Sequence, residues 1–143
     1  MLGAMVDFED MTVLELFAGT GAFSLECLSR GIKFADAVDH QALHVKCIAD
    51  NFRLFEISNA RVHREDVFRW IEKCDQSFNL VFADPPHDMP GILECPDKIM
   101  NSAVMSPESL LILEHNHRED FSRHKCYLKS RRFSNVTFSF FKK

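Results

Sequence analysis

The sequence has 143 residues, of which 46% are hydrophobic and 27% are charged, and its formal net charge is −4. This balance is typical of one globular domain and excludes disordered and collagen-like chains. No apolar run approaches the roughly 18 residues that cross a membrane, and the first residues lack the basic and apolar regions of a secretion signal. We therefore expect a cytoplasmic, monomeric protein that has no membrane partner.

The five cysteines are widely spaced, and none of them belongs to a Cys-x-x-Cys pair. This pattern favours reduced thiols that fill small spaces in the core over a disulfide framework or a zinc site. His40 and His44 lie one helical turn apart, but no further ligand stands at a matching spacing, so the sequence predicts no metal site. His115 and His117 are expected to be solvated loop residues.

Strand and helix patterns alternate along the first half of the chain. Residues 13–17 form a short apolar run and residues 18–21 a glycine-rich turn, after which apolar residues recur at helical spacing until residues 29–31. The later elements predicted in this half are strand 34–38, helix 41–55, strand 60–63, helix 67–73 and strand 78–83. Such alternation indicates parallel strands that are joined by right-handed helical crossovers.

The second half of the chain changes from helices to late strands. Its predicted elements are helix 96–104, strand 110–113, a short polar helix 118–123, strands 125–130 and 135–141, and a hairpin turn at 131–134. With residues 1–143 as a single domain, the sequence predicts an α/β fold. We expect a doubly wound, mostly parallel, seven-stranded Rossmann-like sheet with an antiparallel C-terminal hairpin.

The C-terminal segment is basic, although the chain as a whole is acidic. Its cations are Lys125, Lys129, Arg131, Arg132, Lys142 and Lys143. Clustered cations bind phosphate groups, but they also occur in solvated tails. The sequence leaves both interpretations open.

The first candidate site segment, Glu15-Leu16-Phe17-Ala18-Gly19-Thr20-Gly21, follows the first predicted strand. Ligands of a doubly wound sheet bind outside the carboxyl ends of the strands. Gly19 and Gly21 would let the backbone approach a ligand closely, and free amides at the helix start would attract negative groups. The glycines also suit a tight turn that exists for packing alone.

Two acidic residues follow the next two strands. Asp39 ends the second strand, where a carboxylate can accept both hydroxyls of a ribose. Ser24 replaces the third glycine of the dinucleotide pattern Gly-x-Gly-x-x-Gly, which argues against a nicotinamide cofactor. Asp66 either meets the amino group of an adenine or is the N-cap of the helix that follows.

The motif Asp84-Pro85-Pro86-His87 follows the predicted strand 78–83. Two successive prolines fix the backbone and remove its N–H donors, so a rigid row of carbonyl acceptors stands beside the carboxylate of Asp84. The flat ring of His87 is available for stacking. Such a surface suits an exocyclic amine, because both N–H groups find acceptors while the lone pair points at an electrophile.

The order of these motifs resembles a known family. Val13–Gly21, Ser29-Arg30-Gly31, Asp39, Asn51, Asp66 and Asp84–His87 together look like the RsmD-type bacterial small-subunit ribosomal RNA guanine-N2 methyltransferases, which are class I S-adenosylmethionine-dependent enzymes. The resemblance spans essentially the whole chain. It implies the methyltransferase form of the Rossmann-like sheet and S-adenosylmethionine as the cofactor.

The resemblance also implies roles for individual residues. The cofactor would lie on the turn at Gly19 and Gly21, with its ribose at Asp39 and its adenine near Asp66. The cofactor-binding residues assigned in this way are Glu15, Phe17, Ala18, Gly19, Thr20, Gly21, Asp39, His40, Asp66, Val67 and Asp84. The catalytic residues, which would meet the guanine amine, are Asp84, Pro85, Pro86 and His87.

Two features of the sequence depart from the family. His87 stands where members normally carry Tyr or Phe, so we expect weaker base stacking that depends on pH. Members also have an N-terminal segment that contributes to substrate binding and closes over the cofactor. This sequence begins close to Val13, and we expect that segment to be absent, trimmed or supplied by another polypeptide.

The predicted function is therefore direct, in-line methyl transfer to the N2 of a guanine in small-subunit ribosomal RNA. The expected partner is ribosomal RNA or an assembling small ribosomal subunit. An adenine-N6 methyltransferase of DNA or RNA, or one acting on a protein glutamine amide, would present an NH2 group to the same motif. A non-catalytic remnant of the fold that only binds the cofactor is a further alternative.

Overall fold

The computed structural model describes residues 7–143; residues 1–6, where we expect no secretion signal, lie outside this range. The strands are β1 (Thr12–Leu16), β2 (Phe34–Asp39), β3 (Ala60–Arg64), β4 (Leu80–Ala83), β5 (Leu110–Asn116), β6 (Tyr127–Phe133) and β7 (Val136–Phe141). The helices are α1 (Ala22–Ser29), α2 (Ala42–Leu54), α3 (Val67–Lys73) and α4 (Cys95–Met100). Within residues 7–143, no helix is long and apolar enough to cross a membrane.

The strands form one sheet in the order β3-β2-β1-β4-β5-β7-β6. β1 pairs in parallel with both β2 and β4, so the chain builds one half of the sheet and then returns to build the other. β5 extends the parallel part, whereas β7 runs antiparallel to both β5 and β6. The predicted fold class is confirmed. The strand order reverses between β1 and β4, which is where ligands of such sheets bind.

Successive side chains of a strand point to opposite faces of the sheet. Both faces carry apolar side chains, and helices pack on each of them. Leu14 and Leu16 of β1 belong to the larger core, which includes residues of α3 and α4. Val13 and Leu80 point the other way and pack against α1. Ile48 of α2 belongs to a third cluster on the same side as α1. These contacts hold the end of β1 between two packed layers.

The hairpin turn is shorter than predicted. β6 continues to Phe133, and the turn consists of Ser134 and Asn135 alone. Ser134 has a φ of 58°, a left-handed conformation that favoured two-residue hairpin turns use. The prediction of a turn at residues 131–134 is wrong because Arg131 and Arg132 pair with β7 instead of turning.

Two helix predictions also differ from the structure. α4 ends at Met100 and does not reach residue 104. Residues 118–123 form turns and no helix, because side chains bond the local backbone: Asn116 accepts the Arg118 amide and Asp120 accepts the Ser122 amide. Such bonds compete with a helical ladder.

His115 is buried, and the prediction of a solvated loop residue there is wrong. It lies in β5, which pairs with β7 beyond the predicted end of the strand. Its side chain has 1% relative exposure; its Nε2 lies 2.7 Å from Ser139 Oγ, and its Nδ1 lies 2.8 Å from the Asn116 carbonyl oxygen. Burial lowers the pKa of His115. His117, by contrast, is exposed as expected.

The five cysteines are all free thiols. Cys95 is buried in the larger core, and burial raises the pKa of its thiol to about 12. Cys47 is exposed on α2. The expectation of core-filling thiols therefore holds for Cys95 and does not hold for Cys47.

Candidate functional site

A cavity of about 620 Å³ opens at the carboxyl ends of β1 and β4, where the strand order reverses. The turn after β1, the segment after β4 and one face of β5 and β7 surround it. Its lining residues are Glu15, Phe17, Ala18, Gly19, Thr20, Ala22, Phe23, Phe82, Asp84, Ile112, Glu114, Phe138 and Phe140. The cavity thus brings together most of the predicted glycine-rich turn and Asp84.

The two glycines of the turn have different surroundings. Gly19 has a φ of 59°, and a Cβ at this position would meet no atom within 4 Å, so the space beside it is open. Gly21 has a φ of 76°, and its Cβ would lie 2.9 Å from Ile48 Cγ1. Both glycines therefore serve a left-handed backbone, and Gly21 is required in addition for packing against Ile48 of α2.

Asp39 connects the ends of β1 and β2. Its side chain is nearly buried, and its Oδ2 accepts a hydrogen bond from the Gly19 amide at 2.9 Å. Its Oδ1 accepts the Gln41 amide at 2.9 Å and lies 3.2 Å from His44 Nδ1. The carboxylate therefore orients the glycine-rich turn, in addition to any contact that it makes with a ligand.

The buried side chain of Glu15 contacts the first turn of α1. Its Oε1 accepts hydrogen bonds from the Ser24 amide at 2.9 Å and from the Ser24 hydroxyl at 2.7 Å. Burial raises the pKa of Glu15, and the bonds from Ser24 oppose that rise. The Ser24 amide is consequently not available to a ligand, which corrects the expectation of free amides along this helix start.

Two aromatic rings form an apolar wall of the cavity. Phe23 of α1 and Phe82 of β4 are stacked, with ring centroids 4.2 Å apart and an interplanar angle of 7°. Phe17 lies beside the turn with a φ of 56°, and its ring contacts Phe68 edge-on at 5.9 Å. The backbone at Phe17 thus adopts a conformation that costs free energy for a residue with a Cβ.

Asp84 is half-buried at the end of β4, and its amide donates to the Leu16 carbonyl oxygen at 3.3 Å. Pro85 is buried, while Pro86 and His87 are exposed. Burial raises the pKa of Asp84, and His87 opposes this rise. The first two residues of the predicted catalytic motif, Asp84 and Pro85, are therefore held by the protein, whereas Pro86 and His87 are exposed.

Glu114 is a residue of this site that the sequence interpretation missed. One ligand atom each from Asp84, His87 and Glu114 lies within 4.8 Å of the other two. Burial, followed by the charge of Asp84, raises the pKa of Glu114. A signal was present, because Glu114 follows Ile112 at the two-residue spacing of a strand that ends at this edge.

This trio is also the one group in residues 7–143 whose atoms could hold a metal ion, and it does not include His40 or His44. His40 is exposed. His44 instead contacts Asp39. The pair that the sequence singles out is thus not part of the group with ligand geometry.

The remaining predicted cofactor residues lie outside the cavity lining. Asp66 is the N-cap of α3, where its Oδ1 accepts the Arg69 amide at 3.1 Å, so the N-cap role of this residue is confirmed, and its Oδ1 alone takes part in the cap. Val67 is buried in the larger core. Asp39 and His40 are on the far side of the glycine-rich turn from Asp84, at the end of β2.

Comparisons with known proteins agree with this fold. Over residues 1–142, the chain matches the family model described as conserved hypothetical protein 95. It is 38% identical to the ribosomal RNA large subunit methyltransferase K/L of Pseudoalteromonas translucida over 80 residues, which are 54% of this chain and 11% of that protein. It is 27% identical over 107 residues to the provisionally named rRNA methyltransferase YlbH of Bacillus subtilis, covering 72% of this chain and 58% of YlbH. The chain thus spans about a tenth of the first relative and over half of the second.

Solved structures share the fold at low sequence identity. The yhhF protein of Escherichia coli, provisionally named a methyltransferase, superposes with a TM-score of 0.84 at 22% identity, over 99% of this chain and 79% of that chain. SMU.776, crystallised with SAH, superposes with a TM-score of 0.77 at 17% identity, over 93% of this chain and 45% of that chain. The chain thus shares the fold of these proteins. Because the family model matches from residue 1 to residue 142, the chain belongs to the conserved hypothetical protein 95 family.

Proposed function

We propose that this chain transfers a methyl group from S-adenosylmethionine to the exocyclic N2 of a guanine in small-subunit ribosomal RNA. The observation that carries the proposal is the pair of half-buried carboxylates, Asp84 and Glu114, at the cavity beside the Gly19 turn. Relatives whose names specify ribosomal RNA methyltransferases support the reaction and the class of substrate. The small-subunit target rests on the RsmD-type resemblance alone, because the K/L relatives are named for the large subunit.

The charge of the cavity and the open space at its Gly19 turn suit S-adenosylmethionine. Open space lies beside Gly19, where the turn would contact a cofactor. The carboxylates of Glu15, Asp84 and Glu114 line the cavity, and when ionised they would stabilise the positive charge of a sulfonium. The structural neighbour SMU.776, which was crystallised with SAH, supports the same cofactor.

Asp39 and Asp66 would hold the nucleoside part of the cofactor. A carboxylate offers about four acceptor positions, and in Asp39 three of them receive Gly19, Gln41 and His44. We therefore expect one ribose hydroxyl at Asp39, although the sequence suggested two. Asp66 uses Oδ1 for its N-cap bond, which leaves Oδ2 for the adenine amine.

The two carboxylates favour guanine among the candidate amines. The base edge of guanine carries two adjacent donors, N1–H and N2–H, whereas adenine, cytosine and a glutamine amide each carry a donor beside an acceptor. Neighbouring acceptors at Asp84 and Glu114 would bind both guanine donors. The same pair would repel the ring nitrogen lone pair of adenine, so the geometry supports guanine-N2 over adenine-N6.

The residues of the chain would align and deprotonate the amine. S-adenosylmethionine, when bound, supplies an electrophilic methyl carbon. Asp84 would accept one N2–H and so direct the nitrogen lone pair towards that carbon, while buried Pro85 keeps the segment rigid. As the N–C bond forms and the S–C bond breaks, the N2 proton passes to Asp84, whose raised pKa makes it a better proton acceptor. The proton then leaves to solvent.

A transfer assay with tritium-labelled cofactor tests the proposal. Ribosomal RNA, assembling small subunits, DNA and protein are offered in parallel, and the product is digested and identified by chromatography. We expect N2-methylguanosine from the small-subunit substrates and none from Asp84→Ala, which should still bind cofactor. N6-methyladenosine or a methylated glutamine would overturn the proposal. Cofactor binding without transfer to any substrate would favour the non-catalytic remnant.

The role of Glu114 has its own test. Glu114→Gln can turn an N–H donor towards the base, so guanine methylation should fall while the ratio of adenine to guanine products rises. Glu108→Gln, at an exposed position before β5, is the matched control and should leave that ratio unchanged. An unaltered product ratio in Glu114→Gln would exclude Glu114 as the residue that selects guanine.

A further inference from the structure

The β6–β7 hairpin presents three aromatic rings and two cations on one side. Lys129 pairs with Phe140 and Arg131 with Phe138, and Phe133 pairs with Val136 at the turn end of the hairpin. Residues two apart in a strand share a face, so these side chains stand together. We call this set, Lys129, Arg131, Phe133, Phe138 and Phe140, the hairpin strip.

The opposite side of the same hairpin is tied into the protein. Ser139 lies between Phe138 and Phe140, and its Oγ is 2.9 Å from Ser130 Oγ and 2.7 Å from His115 Nε2. Tyr127 OH is 2.7 Å from Ser130 Oγ. This row of polar contacts fixes which side of β6 and β7 faces outward.

The hairpin strip is continuous with the candidate active site. Phe138 and Phe140 line the cavity together with Asp84 and Glu114. Lys129 extends over Phe140, with its Nζ 5.2 Å from the ring centroid. A ligand that leaves the cavity along β7 therefore meets aromatic rings first and cations next.

The strip is exposed and carries unneutralised charge. Phe133 is 63% exposed, and its ring meets Phe138 edge-on at 5.9 Å. Within residues 7–143, neither Lys129 nor Arg131 has a carboxylate within 4.0 Å. In a chain with a net charge of −4, this local positive charge is complementary to an anionic ligand.

We infer that the hairpin strip binds single-stranded RNA and guides it into the cavity. Single strands bind surfaces on which bases stack against aromatic rings while cations contact the phosphates. A target guanine must leave its stack before its amine can reach Asp84, and exposed rings beside the cavity stabilise the unstacked neighbours. The inference rests on the proposed function, since it supplies the path by which the RNA substrate reaches the carboxylates.

Binding of a fluorescently labelled, guanine-containing single-stranded RNA, followed by anisotropy, tests the strip. Lys129→Gln/Arg131→Gln should weaken binding and flatten its salt dependence, because each lost phosphate contact lowers the log–log slope by roughly 0.7. Phe133→Ala should weaken binding by roughly five-fold or more, with little change in the slope. Calorimetry with SAH should give an unchanged affinity in all these variants.

Lys46→Gln/Arg53→Gln is the matched control. It removes two exposed cations from α2. This helix lies beside β2 and β3, at the opposite edge of the sheet from the β6–β7 hairpin. We expect RNA affinity close to wild type in this control. Hairpin variants that bind RNA as tightly as the wild-type chain, or a control that weakens binding equally, would overturn the inference.

The outcomes separate this inference from the proposed function. Loss of RNA affinity in the hairpin variants, together with N6-methyladenosine as the product, would support the strip and reject guanine-N2 transfer. N2-methylguanosine formation at the wild-type rate by the hairpin variants would reject the strip alone. Sedimentation adds a further outcome: a wild-type dimer that Phe133→Ala dissociates would assign the strip to a second copy of the chain and reject the RNA path.

Discussion

The Gly19 amide donates a hydrogen bond to Asp39 Oδ2 at 2.9 Å, and this bond joins the turns that follow β1 and β2. The nearly buried carboxylate of Asp39 holds the turn through the backbone amide of Gly19. The space beside Gly19 is open. Asp39 is therefore a positioning residue for the turn as well as the proposed ribose ligand. A substitution at Asp39 alters the turn even before any cofactor binds.

Asp39→Asn should lower the affinity for SAH. An amide has one oxygen, so at least one of the donors from Gly19, Gln41 or His44 loses its acceptor, and an unsatisfied buried donor costs about 1–3 kcal/mol. We expect a loss of affinity of roughly 5- to 150-fold by titration calorimetry. Asp50→Asn on α2 removes an exposed carboxylate and serves as the control. Equal affinities for wild type and Asp39→Asn would remove Asp39 from both roles.

The different surroundings of the two turn glycines predict unequal costs of alanine. Gly19→Ala introduces backbone strain alone, about 1–2 kcal/mol. Gly21→Ala adds an overlap with Ile48, which raises its cost by about a further 1–3 kcal/mol. Urea unfolding measures both. In an Ile48→Ala background, which lacks the overlapping Cγ1, the penalty of Gly21→Ala should shrink while that of Gly19→Ala stays constant. Equal penalties for the two glycines would contradict the packing role of Gly21.

The part of the site that could be predicted from sequence consists of local signals. Gly19, Asp39 and Asp84 each stand where an apolar run ends, and the alternation of elements brings such ends to one edge of the sheet. Glu114 carries the same local signal, because it directly follows the apolar run that ends at Leu113, but that run does not show that the strand goes on and brings this side chain opposite β7. The strand continues through pairing with β7, in which Glu114 opposes Phe138, and that partner is distant in the sequence.

The errors in the fold have the same origin. Residues 118–123 are polar enough for a surface helix, yet Phe121 is buried edge-on to His115, with ring centroids 4.6 Å apart. His115 itself lies beneath the hairpin, bonded to Ser139. Contacts between distant segments, together with the local bonds that Asn116 and Asp120 accept, decided these conformations, and the distant contacts leave no local pattern in the sequence.

The acid limb of the rate–pH profile for methyl transfer should depend on His87. Burial raises the pKa of Asp84 and of Glu114, while the charge of His87 lowers both. Both carboxyls must be ionised to accept the guanine donors, so the rate should rise with pH above the usual range of a carboxyl. In His87→Gln the opposing charge is absent, and the acid limb should move to higher pH.

Rate–pH profiles at saturating substrate measure this shift. His117→Gln, at an exposed loop position, is the control and should keep the wild-type profile. A limb that moves to lower pH in His87→Gln would show that His87 does not act on the carboxylates by its charge. A limb unchanged in position would lead to the same conclusion.

His115 should make the stability of the protein depend on pH. Burial lowers the pKa of His115 in the folded chain. Below the unfolded value of about 6.5, the unfolded chain therefore binds a proton at this residue that the folded chain does not bind. Where the unfolded state binds more protons, the free energy of unfolding falls as pH decreases. Stability should therefore be complete above this pH and decline as pH falls from 7 towards the lowered pKa.

His115→Gln should cost about 1–3 kcal/mol at pH 7, because Ser139 loses its buried partner. The same variant should have a flatter dependence between pH 7 and 5 than wild type and His117→Gln, measured by urea unfolding. A wild-type slope retained in His115→Gln would assign the dependence to other groups.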